Sequence, residues 1–173
     1  MRANPFEKRK GFFISDIINK MKEQLLDAWR INNRMSLLFI DNMSDEGMQK
    51  TLSPRGRIIY QQLVHMHNVR LSWIGIAAKD IFKKYKPMVK DDPCDKKTIR
   101  KSFEESGKAV EEFIERSWDE GGKVKGFKKG LIPFISYLIA HEGHHRGHAM
   151  LTLKQSGIKI PDVLKWGLWE WDK

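Results

Sequence analysis

Four long segments of the sequence repeat apolar residues at the spacing of an α-helix, and this pattern predicts an all-helical fold. The first segment runs from Ser15, the predicted N-cap, to about Ile40. The second opens at Ser53-Pro54, because a cap followed by proline favours a helix start, and it fades near residues 85–87. No run of alternating apolar and polar residues indicates a strand.

The third and fourth segments are bounded by turn residues at both ends. The third begins after Pro93, with Asp95 as its predicted cap, and ends at Gly121-Gly122. The fourth runs from about Leu131 to about Gln155, and Gly157 is the predicted C-terminal cap. Four helices of this length, joined by medium loops, predict a four-helix bundle.

Length and composition agree with one bundle. With 173 residues, 40% of them hydrophobic and 31% charged, the chain is predicted to form a single domain over residues 1–173. The tail, residues 158–173, is too short for another domain. Its three tryptophans are expected to pack across one end of the bundle: Trp166, Trp169 and Trp171.

Charge and residue usage exclude several classes of protein. The formal net charge is +10, but the lysines are spread among acids and form no arginine-rich block, so a nucleic-acid partner is disfavoured. No apolar run approaches the roughly 18 residues of a membrane span or forms a secretory signal, which predicts a cytoplasmic protein without a membrane partner. The single cysteine, Cys94, excludes an internal disulfide and is interpreted as an ordinary loop thiol.

The six histidines are concentrated in two short windows, and four of them lie in the fourth segment. On a helix, His145 lies about 40° from His141, and His148 lies about 20° away on the other side. His141 and His145 have the i, i+4 spacing at which two imidazoles converge on one ion. This stripe continues an apolar face, so we predict a metal site inside the bundle.

A third ligand is expected from a facing helix. His65 is favoured because it shares the apolar stripe of the second segment with Val69 and Trp73. His67 lies about 200° from His65 and is expected to face elsewhere, although it stays an alternative ligand. Three histidines would leave coordination positions open, which is typical of a catalytic site.

The stretch from His141 to His145 also matches H-E-x-x-H, the signature of zinc metalloproteases in which Glu142 would be the general base. Glu142 lies about 100° from His141, and the chain lacks the strand that such proteases use to bind peptide. We therefore expect Glu142 on the flank of the helix, in contact with solvent or with a ligand. Arg146 is expected to brace a neighbouring helix or subunit, and Gly143 and Gly147 to allow close helix packing.

Two stretches resemble the DinB/YfiT-like family of metal-binding four-helix bundles: Leu63–Trp73 (LVHMHNVRLSW) and Leu138–Gly147 (LIAHEGHHRG). That family has a ligand histidine early in its second helix and an H-x-x-x-H-R-G-Q pattern in its last. The resemblance implies His65, His141 and His145 as metal ligands. This sequence has His148 where the family usually has glutamine, so His148 could add a ligand, a hydrogen bond or a pocket base.

The same resemblance implies a divalent metal cofactor, with zinc or nickel preferred, and a metal-dependent enzyme such as a low-molecular-weight thiol S-transferase. Its partners would be a small-molecule substrate or thiol and a second copy of the chain in a homodimer. A stress-related metal-binding dimer without catalysis is the alternative, and a metal-dependent hydrolase is a further one. Catalytic residues are not assigned by the sequence.

Overall fold

The computed structural model describes residues 5–90, 92–93 and 95–172, with side chains from Ile14 onward, so Cys94 lies outside the described residues. All regular elements in these ranges are helices, which confirms the all-α prediction. Among them, no helix is long and apolar enough to cross a membrane. The helices are α1 (Pro5–Asp41), α2 (Asp45–Met48), α3 (Ile59–Ala77), α4 (Lys79–Phe82), α5 (Lys96–Asp119), α6 (Leu131–Gln155) and α7 (Asp162–Gly167).

The four long helices, α1, α3, α5 and α6, form the predicted bundle. Helix α1 packs against α5 and α6, and α3 packs against the same two helices. The order around the bundle is therefore α1, α5, α3, α6, with α1 and α3 at opposite corners. This arrangement brings the second and fourth predicted segments into direct contact.

The predicted ends of α5 and α6 agree with the structure because local chemistry defines them. The Asp95 side chain accepts a hydrogen bond from the Thr98 backbone N–H at 2.8 Å, as an N-cap should. Helix α6 starts at Leu131 and ends at Gln155. Gly157 follows with a φ of +72°, a left-handed conformation that terminates helices and favours glycine.

The predicted starts of the first two segments are wrong. Helix α1 begins at Pro5, so Ser15 lies within it and caps nothing. Helix α3 begins at Ile59 rather than at Ser53-Pro54, because residues 51–56 form a turn in which Ser53 O accepts hydrogen bonds from Thr51 Oγ1 and the Gly56 N–H. Serine followed by proline is as suitable for a turn as for a helix start.

The tail packs on the bundle, but Trp166 and Trp169 do not. Leu164 of α7 is fully buried, and a Cβ on Gly167 would lie 2.8 Å from Leu38 on α1, so the two helices approach closely there. The three tryptophans are exposed, at 69%, 79% and 47% of their surface: Trp166, Trp169 and Trp171. The prediction that they pack on the bundle is wrong for Trp166 and Trp169, because Leu164 and Gly167 occupy the face turned toward α1. Trp171 lies beside α1, where it lines a cavity with Arg30 and Arg34.

A polar layer divides the core into two apolar clusters. Along α1, Trp29 belongs to one cluster and Phe39 to the other, and the buried Asn32 and Ser36 lie between them. The same order holds on the other long helices, where the buried polar residues between the clusters are Arg70 of α3, Ser106 of α5 and Glu142 of α6. Buried polar groups need hydrogen-bond partners, and these residues hydrogen-bond to one another.

An ion pair between Arg70 and Glu142 is the centre of this layer. Arg70 Nε donates to Glu142 Oε1 at 2.6 Å, and its Nη2 donates to Oε2 at 2.7 Å. Glu142 Oε2 also accepts from Asn32 Nδ2 and Ser36 Oγ, at 2.8 and 3.0 Å. The guanidinium lies 4.8 Å from the ring centroid of Trp29 and 4.6 Å from that of Phe103. The pair therefore connects all four long helices.

Replacement of Glu142 by alanine should lower the free energy of unfolding by about 3–5 kcal/mol, because Arg70 would be left charged and unpaired in the core. Urea denaturation followed by circular dichroism measures this change. The matched control is Glu112→Ala, which removes a carboxylate paired with Lys84 at the surface of α5. The control should shift the denaturation midpoint little. Equal losses in the two variants would contradict a central role for the buried pair.

Candidate metal centre

Three histidines from two helices converge at one point beside the polar layer. His65 comes from α3, and His141 and His145 come from successive turns of α6. His141 Nε2 lies 3.3 Å from His65 Nε2 and 3.2 Å from His145 Nε2. These three donor atoms all lie within 4.8 Å of one another, and the side chains are half-buried. The structure thus brings together the three residues that the sequence predicted as ligands.

The spacing of the three nitrogens fits a bound cation. Nitrogen ligands at about 2.0–2.1 Å from a tetrahedral ion are separated from each other by about 3.3–3.4 Å. The Nε2 separations from His141 to His65 and to His145, 3.3 and 3.2 Å, are close to this value. Two of the three pairs of candidate ligand atoms therefore already have the separation that a bound ion requires.

Hydrogen bonds alone explain this arrangement poorly. An imidazole nitrogen carries either one proton or one lone pair, so His141 Nε2 can make one linear hydrogen bond. It has two Nε2 neighbours at nearly equal distance. A cation can accept the lone pairs of all three nitrogens at once. His141 Nδ1, which would carry the proton in that case, is buried and has no hydrogen-bond partner among the described residues.

The surroundings keep the three imidazoles neutral. Burial lowers the pKa of His65, and the positive charge of Arg57 lowers it further. Burial likewise lowers the pKa of His141. The pKa of His145 is lowered to about 4, first by burial and then by His141 and His65. Since metals bind the neutral form of imidazole, the three side chains are ready for ligation at neutral pH.

The buried ion pair sets the positions of the ligands. Glu142 follows His141 in α6, and Arg70 lies five residues after His65 in α3. A carboxylate that is held by two guanidinium hydrogen bonds fixes the register of these helices, and the register determines which histidines meet. The sequence offered Arg70 as a residue that could orient the site, but it did not predict the pairing with Glu142. The two charged residues lie in separate helices, and a buried pair gives no local periodic signal.

Glu142 does not lie on the flank of the helix as predicted; it is 0% exposed. Burial would raise the pKa of this carboxyl group, but the charge and hydrogen bonds of Arg70 and the charge of Arg146 hold it below its ordinary value. Glu142 is therefore ionised, buried and hydrogen-bonded to Arg70, Asn32 and Ser36, an environment that does not suit a general base. This environment gives no support to the metalloprotease interpretation.

His67 faces away from the three histidines, as its angular position predicted. Its Nε2 lies 3.2 Å from the Lys86 carbonyl oxygen. The neighbouring Asn68 donates to the Met88 carbonyl and accepts from the Met88 N–H, both at 2.9 Å. His67 and Asn68 thus hold the segment after α4 against α3 and lie outside the candidate centre.

The remaining histidines of α6 do not join the three ligands either. His148 Nδ1 lies 3.0 Å from Gln62 Oε1, and His144 is exposed. A cavity of about 260 Å³ lies on this side of His145, lined by Arg57, Gln62, His144, His145 and His148. His148, which stands where the family usually has glutamine, therefore lines a cavity. It takes no part in the three-histidine cluster.

Two further predictions for α6 have different outcomes. Arg146 braces α1, as expected, since its guanidinium donates to Ser36 Oγ at 2.7 Å and to Asn32 Oδ1 at 2.9 Å. Gly143 and Gly147 do not allow close packing as predicted. A Cβ built on either would meet nothing within 4 Å, because both glycines face outward.

Aromatic side chains cover the other side of the centre. The Tyr137 ring stacks on His141 with 6.1 Å between centroids. Trp73 and Phe127 each lie 6.0 Å from Tyr137 and 5.9 Å from each other. The three histidines thus lie between an aromatic wall and a cavity that carries positive charge. A small molecule could approach them from the cavity.

Comparisons with known proteins agree with this fold. The family model described as "DinB family" matches residues 17–167. The uncharacterized protein YrdA of Bacillus subtilis is 20% identical over 162 residues, which cover 87% of this chain and 92% of that protein. A crystal structure of a DinB-like protein from Bacillus cereus superposes with a TM-score of 0.62 at 20% identity, and the match covers 80% of this chain and 95% of that one.

In the metal-free protein, His145 should stay neutral until the pH falls to about 4, because burial and the adjacent imidazoles oppose its protonation. Imidazole NMR signals recorded as a function of pH would follow its proton uptake. The His145→Gln variant assigns the signal. A midpoint near the ordinary value of 6.5 would contradict the described environment of this side chain.

Proposed function

We propose that this chain, which belongs to the DinB family, binds one divalent metal ion through His65, His141 and His145 and works as a metal-dependent enzyme. The observation that carries the proposal is the convergence of three neutral imidazoles, in which His141 Nε2 lies at the spacing of metal ligands from both of the others. The family match spans residues 17–167, which supports a single DinB-like domain. Zinc and nickel both suit an all-imidazole ligand set.

The residues around the centre support a catalytic role. Three protein ligands leave at least one coordination position for a small molecule. When bound, the ion would lower the pKa of a thiol or water ligand and thereby supply a nucleophile at neutral pH. The cavity beside His145 gives a ligand access, and the aromatic wall of Tyr137 limits the water that reaches His141.

Within this class, a low-molecular-weight thiol S-transferase is the finer proposal. A thiolate needs a positively charged environment, and the described residues that line the cavity include Arg57 and imidazoles but no carboxylate. A hydrolase would use the same centre with water as the ligand. Glu142, which adjoins His141 in the chain, would not serve as its general base because Arg70 already engages it.

A second candidate, a metal-binding homodimer without turnover, is supported by a separate observation. The exposed tryptophans Trp166 and Trp169 lie at the surface of the tail. Large exposed aromatic side chains are typical of surfaces that bind a partner. This function would use the metal centre to stabilise the bundle rather than to activate a substrate.

Metal content separates these candidates from a bundle without metal. Mass spectrometry should find one ion per wild-type chain, and His65→Ala, His141→Ala and His145→Ala should each lower the affinity by at least about 100-fold, since each removes a ligand. The matched controls are His144→Ala and His67→Ala, which remove histidines outside the three-residue cluster. If His67→Ala lost the metal and His65→Ala retained it, the ligand assignment would be wrong.

Turnover is tested with the electrophile monochlorobimane and several cellular thiols, before and after chelation and metal replacement. The transferase proposal predicts thiol transfer that disappears with the metal and returns with it. Absence of metal-dependent turnover with every thiol would favour the binding-protein alternative. Circular dichroism of each variant excludes unfolding as the cause of a loss.

A further inference from the structure

A concentration of positive charge lies directly beside the candidate ligands. The cavity of about 260 Å³ shares His145 with the metal centre, and its other walls are Arg57, Gln62, His144 and His148. The volume is below the usual range of drug-sized pockets, so it fits a molecule of few non-hydrogen atoms. Since the lining residues that the structure describes include a guanidinium and no acidic side chain, the chemistry of the cavity suits an anion.

Arg57 is free to bind such an anion. It lies in the loop before α3 and its side chain is exposed, and no hydrogen bond or ion pair of its guanidinium is found within the described ranges. Its charge is nevertheless close enough to act on both His65 and His145. Apart from Arg55, the other arginines of residues 14–172 are engaged by protein partners: Arg30, Arg34, Arg70, Arg100, Arg116 and Arg146.

The opposite wall of the cavity is held in one orientation. Gln62, which is 4% exposed, donates from Nε2 to the Arg57 carbonyl oxygen at 3.4 Å and so presents Oε1 to His148. An amide oxygen only accepts hydrogen bonds, so His148 Nδ1 carries the proton in this contact. The same amide group therefore connects the backbone of Arg57 to the ring of His148, which fixes the two walls relative to each other.

We propose that the Arg57 guanidinium, beside the ring of His148, forms an anion-binding subsite for a carboxylate of the small molecule whose donor atom binds the metal. The ligand class is then a small thiol that carries a carboxylate, held at one end by the guanidinium and at the other by the ion. This inference rests on the proposed metal function, because the second contact requires the ion. It goes further in assigning the charge of the ligand and the residue that selects it.

The test uses the cobalt(II)-loaded full chain and two probes that differ in one group, 3-mercaptopropionate and 3-mercapto-1-propanol. The thiolate-to-cobalt charge-transfer absorption measures the dissociation constant of each. The wild type should bind the carboxylate about 10-fold more tightly, the size of effect expected for a charge-assisted hydrogen bond. Arg57→Gln should abolish this preference, because it should weaken binding of the carboxylate more than binding of the alcohol. Cobalt content should stay unchanged, since Arg57 is not a candidate ligand.

The matched control is Arg55→Gln, which removes the same charge from the same loop at a residue outside the cavity. It should keep the preference for the carboxylate. Equal affinities of the two probes in the wild type would overturn the subsite, and so would an unchanged preference in Arg57→Gln. An equal loss in both variants would also overturn it, since a general charge effect would then explain the preference.

A measurement on the metal-free protein separates failure of the subsite from failure of the proposed function. Titration with propionate should shift the imidazole NMR signals of His148 in the wild type, and the shift should be absent in Arg57→Gln. If the wild type bound no cobalt but kept this shift, the proposed metal function would be wrong and the anion subsite would be supported. If cobalt bound and no shift or preference occurred, the subsite alone would fail.

Discussion

The ion pair between Arg70 and Glu142 is the interaction on which the geometry of the candidate metal centre depends. Two charges in an apolar core are costly unless their hydrogen bonds are complete, and here the carboxylate is held bidentately and supported by Asn32 and Ser36. A slip of α6 by one turn, about 5.4 Å, would separate the pair. The same slip would move His141 and His145 past His65. One buried contact therefore stabilises the bundle and aligns the ligands.

The pair also keeps the Glu142 carboxylate from acting as a free negative charge at the metal centre. Glu142 adjoins His141 in the chain, but its negative charge is balanced by Arg70 and Arg146. The candidate ligands are three neutral imidazoles, so a bound ion would keep its full positive charge, which favours deprotonation of a coordinated thiol or water. Arg57 adds positive charge on the solvent side. The bundle thus separates a neutralised ion pair in the core from a cationic site at the surface.

Local signals predicted the parts of the fold that local chemistry defines. Helices α5 and α6 begin and end where the sequence placed them, because Asp95 caps one and a left-handed Gly157 follows the other. The start of α3 was missed because Ser53-Pro54 suits a turn as well as a cap. The tail was misjudged because aromatic residues suggest burial, whereas Leu164 and Gly167 make its contact with α1. Where a helix starts in such a segment, and which of its side chains are buried, depends on the surface that the segment packs against.

The sequence by itself determined that His141 and His145 share one face of a helix, since the i, i+4 spacing follows from the 3.6-residue period. It also favoured His65 as their partner through the apolar stripe of α3. Only the tertiary structure decided that His141 Nε2 lies 3.3 Å from His65 Nε2 and 3.2 Å from His145 Nε2, that Glu142 is buried against Arg70, and that Arg57 and His148 line one cavity. The physical reason is that periodicity defines positions within a helix, whereas contacts between helices depend on a register set by packing and buried charge.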